Sequence, residues 1–236
     1  MGETAENVAR QWNISREKQD ELALNSQEKY FRALEEGKWK DEIVAVPVED
    51  AKGNVSMIDT DEHPRKTSID KLAGLKPAFT KDGSVTAGNA AGINDGAAAM
   101  LLASADAVKK YNLKPIGKIV SMAVAGVDPA IMGIGPVPAT QKALKRASLS
   151  IANIDLFELN EAFASQVLAC AHDLAIDLNK VNVNGGSIAL GHPLGCSGVR
   201  ISTTLLHEMK RRGTKYGLAT MCVGVGQGAA IIYEKC

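Results

Sequence analysis

A layered α/β fold is predicted for this chain, and three observations predict it. From residue 116 onward, short β-branched runs alternate with longer amphipathic stretches, the pattern of strands joined through helices. The stretch from Ala162 to Ala175 is apolar nearly all round (Phe163, Val167, Leu168, Cys170, Leu174), so it belongs between layers rather than on a surface. Apolar residues make up 45% of the chain against 23% charged, enough to fill a core of that kind.

Taken in order, the first residues, Met1 to Val8, read as a helix already under way. They have neither the basic lead and apolar core of a signal peptide nor, with Glu6 at the sixth position, a myristoylation motif. Ser15 to Gly37 is an amphipathic helix: Ser15 caps it, Leu22, Ser26, Tyr30 and Leu34 recur at helical spacing, and Gly37 stops it. Glu42 to Val48 and Val55 to Ile58 form a hairpin around Lys52-Gly53-Asn54. Residues 59–92 lack periodicity, which in a compact chain marks a functional or covering segment. Gly96 to Ala103 is apolar enough for a buried strand, and Ser104 then caps a helix reaching Tyr111. The second block runs strand 118–127, helix 138–148, strand 154–158, helix 161–175, strand 181–183, helix 198–213 and a closing pair of strands, 218–223 and 229–234. The 198–213 helix ends in Lys210-Arg211-Arg212-Gly213, cations at the negative helix end followed by a glycine stop.

Composition excludes several classes. With 27 basic and 27 acidic side chains there is no global field for nucleic acid or anionic membrane. No apolar run reaches the roughly 18 residues of a membrane helix. The four cysteines show no CxxC pairing, so reduced thiols in an intracellular setting are expected; a cytoplasmic location is expected over a mitochondrial one.

Three strand ends carry unusual residues: Asn160-Glu161 after one, Gly185 to Gly198 with His192 after another, and Cys222 followed by Gly224, Gly226 and Gly228 after the last. In layered α/β folds, ligands collect beyond strand ends. Each feature also has a plain structural reading. A cysteine there is commonly a buried small hydrophobe, a histidine in a glycine-rich loop is commonly structural, and Asn160 could cap a helix. The glycine triplet imitates a dinucleotide fingerprint, but a strand rather than a helix follows it, and no Gly-Lys-Ser/Thr closes any glycine run. His192, Cys196 and Cys222 lack metal-ligand spacing, and no metal is expected. Together the features say more. Glycines around His192 let backbone approach a bulky ligand, and glycines after Cys222 free N–H groups for an oxyanion. An imidazole and a thiol can exchange a proton near neutral pH, and an asparagine can hold a water. That set suits acyl chemistry at a carbonyl.

On these residues the chain resembles the thiolases. The resemblance rests on Asn-Glu-Ala-Phe at 160–163, Gly-Gly-Ser-Ile-Ala-Leu-Gly-His-Pro-Leu-Gly at 185–195 and Cys-x-Gly-x-Gly-Gln-Gly at 222–228. It extends to Met-Gly-x-Thr-Ala-Glu-Asn at the start, Leu75 to Phe79, Thr86 to Gly96, and Met132-Gly133-Ile134-Gly135-Pro136, the last of which resembles the acetyl-CoA acetyltransferase branch. The resemblance implies a layered thiolase fold present in part: residues 1–93 as most of the inserted loop domain, 94–115 as the end of the N-terminal half, and 116–236 as a complete C-terminal half. It implies condensation of two acetyl-CoA molecules to acetoacetyl-CoA and coenzyme A, or the reverse thiolysis, without a cofactor. His192 would activate the nucleophile and, with a water held by Asn160, form one oxyanion site. Cys222 would be the second acid/base, and the N–H of Gly224 would join the other oxyanion site. Phe79, Ala87, Met132, Ala162 and Phe163 would line the pantetheine or acyl end of the substrate, in a homodimer or homotetramer.

Two residues depart from the family pattern. Val225 stands where a glycine is usual and would be strained at positive φ, and Ala91 replaces a serine. The nucleophilic cysteine's region has no counterpart among the 236 residues, and Cys170, Cys196 and Cys236 do not stand in its motif. The chain alone is therefore expected to be inactive and prone to aggregate. A split enzyme completed by a second polypeptide, and a non-catalytic acyl-CoA-binding protein, are the alternative readings.

Overall fold

A computed structural model describes residues 1–236. Its centre is a four-stranded sheet in the order β3-β6-β5-β4, built from β3 (Gly117–Gly126), β4 (Leu156–Leu159), β5 (Tyr216–Val223) and β6 (Gln227–Lys235). The closing hairpin β5–β6 is antiparallel, β3 pairs antiparallel with β6, and β4 runs parallel to β5. Side chains alternate across a strand, and the core divides accordingly. Phe157, Leu159, Leu218 and Ile232 face helices α5 (Pro136–Ala147) and α6 (Ala164–Asp173). Leu156, Ala219 and Tyr233 face α8 (Ser197–Arg212) through Ile201, Leu205, Leu206 and Met209. As expected between layers, α6 is buried over most of its length.

The N-terminal segments lie across this layer. Helix α1 (Gly2–Gln11) packs on α6 and on the short 3₁₀ turn Pro129–Ile134. Helix α2 (Arg16–Glu35) begins at the predicted cap, where Ser15 Oγ accepts the N–H of Lys18, and Gly37 takes the left-handed conformation just beyond its end. It packs on α7 (Ser187–Leu190). The hairpin β1 (Val46–Glu49) and β2 (Val55–Ile58) is antiparallel as predicted and wholly exposed. Helix α3 (Ile69–Ala73) lies within the stretch without periodicity, and α4 (Ala105–Lys110) starts at its predicted cap, Ser104. No helix is long and apolar enough to cross a membrane.

Three expectations fail. Residues 96–103 do not form a buried strand: they are irregular, with Leu101 83% and Leu102 70% exposed. Composition suited the run to a sheet interior, but an extended segment needs strands beside it, and here none pairs with it. Residues 181–183 form no strand either. Val181 makes a single parallel bridge to Phe157, after which Asn182 turns at φ 45°. Its side-chain amide then stands in for the ladder, accepting from Leu159 N–H at 2.9 Å and donating to Leu159 C=O at 2.8 Å. The third is the helix predicted over 161–175, which begins later: α6 starts at Ala164 with Phe163 at its N-cap, so Asn160 and Glu161 cap nothing.

Glycines decide one packing detail. Gly135 and Gly228 meet backbone to backbone so closely that a Cβ on either would overlap the other strand of chain. This contact seats the Met132 to Pro136 motif on the start of β6.

Asn182 is also bonded to Glu161 Oε1 at 2.8 Å and is buried, so its removal strands polar groups on two segments. Asn182→Ala is predicted to destabilise the fold by about 3 kcal/mol in urea unfolding. A loss under about 0.5 kcal/mol would show that the amide does not replace a ladder bond.

Candidate active site

Because β4 and β5 are parallel neighbours in the register Leu159↔Thr220, the residues that follow β4 and those that end β5 emerge at one edge of the sheet. Asn160 continues the ladder by one bond, its N–H donating to Thr220 C=O at 3.0 Å, and Cys222 follows on the same strand β5. The loop between α7 and α8 brings His192 to this edge. The segment 89–94 stitches the parts together: Ala164 N–H donates to Asn89 C=O, Ala91 N–H to Ala162 C=O, and His192 N–H to Gly92 C=O. The bridges Ala90↔Phe163 and Ile93↔His192 repeat that arrangement. The Thr86 to Gly96 motif is thus a clasp between two of the three predicted strand ends.

His192 is 9% exposed and Asn160 1%. The Asn160 Nδ2 group lies against the nitrogen-bearing side of the ring, 3.3 Å from Nε2 and 3.5 Å from Nδ1. On the other side, Ser197 Oγ sits 2.6 Å from Nδ1 and 3.0 Å from Pro193 C=O. A carbonyl can only accept, so the Ser197 hydroxyl donates to Pro193 and Nδ1–H donates to Ser197. The Asn160 amide nitrogen is nearly equidistant from the two ring nitrogens, so it lies beside the ring without pointing along either lone pair and leaves Nε2 free. Ser197 thus assigns the proton to Nδ1, which leaves Nε2 bare in the neutral ring. Burial, and next the Arg200 cation, hold the imidazole below its ordinary value of 6.5, so the ring is uncharged at neutral pH.

Cys222 is 4% exposed, in an apolar cluster with Ala5, Val85, Met132, Ala162 and Phe163. Phe79 reaches this cluster edge-to-face on Phe163, with ring centroids 6.1 Å apart. Four of the five predicted substrate-lining residues are therefore gathered beside the thiol. Ala87 is not among them: it is exposed in the adjoining turn. The thiol itself corrects the sequence reading. Burial pushes it up to about 12, so it holds its proton at neutral pH rather than titrating there. Past Cys222 the chain turns through Val225 at φ 32° and Gly226 at φ 90°. A β-branched residue is strained at the first, as anticipated. The N–H of Gly224 donates to no protein acceptor, and Met1 Sδ lies beside its α-carbon. His192, Cys196 and Cys222 do not gather into a metal-ligand set.

Three residues that sequence reading missed belong to the site. Ser197 fixes the histidine tautomer, Ser187 Oγ donates to Asn160 Oδ1 at 2.5 Å, and Arg200 Nη2 donates to Ser187 Oγ at 3.0 Å. Arg200 Nη1 lies 3.6 Å from Glu158 Oε2, whose carboxyl burial raises to about 8 against the pull of Arg200. A signal was present for Arg200: a cation in the first turn of a helix opposes the helix dipole and calls for a partner elsewhere.

These environments give two expected outcomes. Iodoacetamide at neutral pH should alkylate Cys236 and Cys196 before Cys170 or Cys222. Rapid loss of the Cys222 thiol would contradict its burial. Because the folded ring resists protonation below the unfolded value, the stability it contributes is present above pH 6.5 and lost as pH falls below that. His192→Gln should flatten the decline in urea stability as pH falls below 6.5; an unchanged slope would mean the ring titrates normally.

Comparison with known proteins gives one result throughout. The profile of the thiolase C-terminal domain matches residues 113–235, and that of the thiolase N-terminal domain matches residues 1–106. An acetyl-CoA acetyltransferase of Pseudomonas aeruginosa is 56% identical over 236 residues, all of this chain and 60% of the relative. That of Syntrophomonas wolfei is 54% identical, over 99% of this chain and 59% of the relative. The crystal structure of the Bacillus anthracis acetyl-CoA acetyltransferase superposes with a TM-score of 0.98 at 51% identity, covering all of this chain and 60% of that one. Human mitochondrial 3-ketoacyl-CoA thiolase in complex with CoA gives 0.90 at 48% identity, covering 99% of this chain and 58% of that one. The chain thus spans about 60% of the length of the curated relatives it matches, across both halves of their fold. It belongs to the thiolase family.

Proposed function

We propose that this chain forms the C-terminal part of an acetyl-CoA C-acetyltransferase, which condenses two acetyl-CoA molecules to acetoacetyl-CoA and coenzyme A or runs the reverse thiolysis. The observation that carries this reading is the Asn160 amide against a neutral His192 whose Nε2 is bare, with Cys222 on the neighbouring strand. A bare Nε2 can take the proton of a nucleophilic thiol. Once protonated, it and a water held by Asn160 present donors to a thioester oxygen, where negative charge develops as an enolate forms.

Cys222 acts on the α-carbon of that thioester. In cleavage its retained proton suits it to protonate the leaving acetyl-CoA carbanion. In condensation it first gives its proton to the coenzyme A thiolate expelled as the nucleophile is acylated, and the thiolate so formed, a strong base because its pKa is raised, removes the α-proton of the second acetyl-CoA. The free N–H of Gly224 serves the second oxyanion site. Phe79, Met132, Ala162 and Phe163, with Ala87 at the outer turn, line the pantetheine or acyl end of the CoA thioester. No metal takes part in this reading, and the complete enzyme is a homodimer or homotetramer. Residues 1–93 serve as loop domain, 94–115 close the N-terminal half, and 116–236 form the C-terminal domain.

Acyl transfer of this kind runs through an acyl-thioester on a cysteine. No cysteine of this chain is hydrogen-bonded to His192, and the chain covers 60% of the Pseudomonas aeruginosa relative, so the nucleophile is assigned to the part of the enzyme that this chain does not match. Exposed Leu101, Leu102, Met122 and Val124 are the apolar surface such chain would cover.

The test fuses this chain behind the portion of the Bacillus anthracis enzyme that it does not match. The fusion should cleave acetoacetyl-CoA with coenzyme A, and His192→Ala or Cys222→Ala should each lower kcat at least about a thousandfold. The 236-residue chain alone should self-associate and show no turnover. Thiolysis by the chain alone, or variants at the parent rate, would overturn the assignment. A fusion that binds acyl-CoA without turnover would mark a binding protein instead.

A further inference from the structure

The hydrogen bonds behind Asn160 run in one direction only. A guanidinium has no acceptor, so the 3.0 Å contact between Arg200 Nη2 and Ser187 Oγ makes the serine oxygen accept. Its single proton is then committed to Asn160 Oδ1, 2.5 Å away. With its oxygen held there, the Asn160 amide can turn only its N–H₂ toward His192. Ser187 is fully buried and sits at the start of α7, so no water competes for these groups. Arg200 is itself poorly paired: its Nε and Nη1 have no hydrogen-bond partner, and Glu158 stands 3.6 Å off. Its Nη2 bond to Ser187 is therefore the directional contact that it makes.

We propose that Ser187 is a positioning residue, set by Arg200, which fixes the Asn160 amide with its nitrogen toward His192 and so sets the donor that faces substrate. The inference deepens the acyltransferase reading and rests on it for its kinetic consequence. Without the hydroxyl, the Asn160 amide is free to rotate, and a rotated amide presents an acceptor where negative charge develops.

The experiment uses the catalytically competent form of the enzyme carrying this chain. Ser187→Ala, and the near-isosteric Ser187→Cys whose thiol is a weak donor, should each lower kcat about tenfold with KM for acetyl-CoA within about twofold. Ser187→Thr, which keeps the hydroxyl, should recover most of the rate. Because Ser187 acts through Asn160, Ser187→Ala should cost nothing further in an Asn160→Ala background, whereas a general structural defect would add. Parent-like kcat in both Ser187→Ala and Ser187→Cys, or additive losses in the double variant, would overturn the proposal. If the parent form shows no thiolase turnover, the acyltransferase reading fails by itself. The positioning role is then decided by the crystal structure of Ser187→Ala: an amide rotated away from His192 supports it, and an unmoved amide refutes it.

Discussion

Desolvation at the end of β4 is the constraint on which this site depends. Asn160, Glu161, Asn182, Ser187 and His192 are all buried there, where an unpaired donor or acceptor costs about 1–3 kcal/mol. The fold meets that demand with reciprocal bonds. Glu161 accepts from Ser26 Oγ, Asn182 Nδ2 and Ile188 N–H, and Asn182 in turn pairs with the backbone of Leu159. This frame holds α2, α7 and β4 together, so the segments that carry Asn160 and His192 have no independent freedom to drift. The same burial lowers the imidazole and raises the thiol, moving both toward their uncharged forms.

Close backbone contact does the complementary work on the apolar side. The Gly135–Gly228 approach brings the Met132 turn onto β6, and Met132 then packs with Cys222, Ala162 and Phe163. A side chain at either glycine would lift that turn and open the wall around the thiol. Of three cavities of about 350 to 400 Å³, two lie along α2, one of them bordered by Ser26 and Glu161, and the third lies between α8 and strands β3, β5 and β6. The residues proposed to meet substrate are instead packed on one another, with Phe79 at the rim.

Much of this was legible in the sequence, and for local reasons. Ser15, Ser104 and Gly37 marked helix ends because capping is a property of a few adjacent residues. Strands β3, β5 and β6 were visible as β-branched runs, and the pairing of β5 with β6 followed from the short closing turn. The three strand-end motifs pointed to Asn160, His192 and Cys222 before any coordinates. What failed depends on distant chain. The 96–103 run has strand composition without strand neighbours, and residues 181–183 yield to an asparagine side chain that mimics a backbone bond. The pKa of Cys222 was misread because a residue type carries no information about the apolar wall around it. Ser187 and Arg200 were passed over because their direction of hydrogen bonding exists only once α7 and α8 meet.

The protonation state of His192 exposes the account most directly. Ring-nitrogen NMR on the enzyme labelled with ¹⁵N-histidine would read it without any turnover. The Ser197 contact puts the ring proton on Nδ1, and burial keeps the ring neutral at pH 7 with Nε2 bare beside Asn160. A proton on Nε2, or a charged ring at that pH, would contradict both the tautomer set by Ser197 and the base assigned to the site.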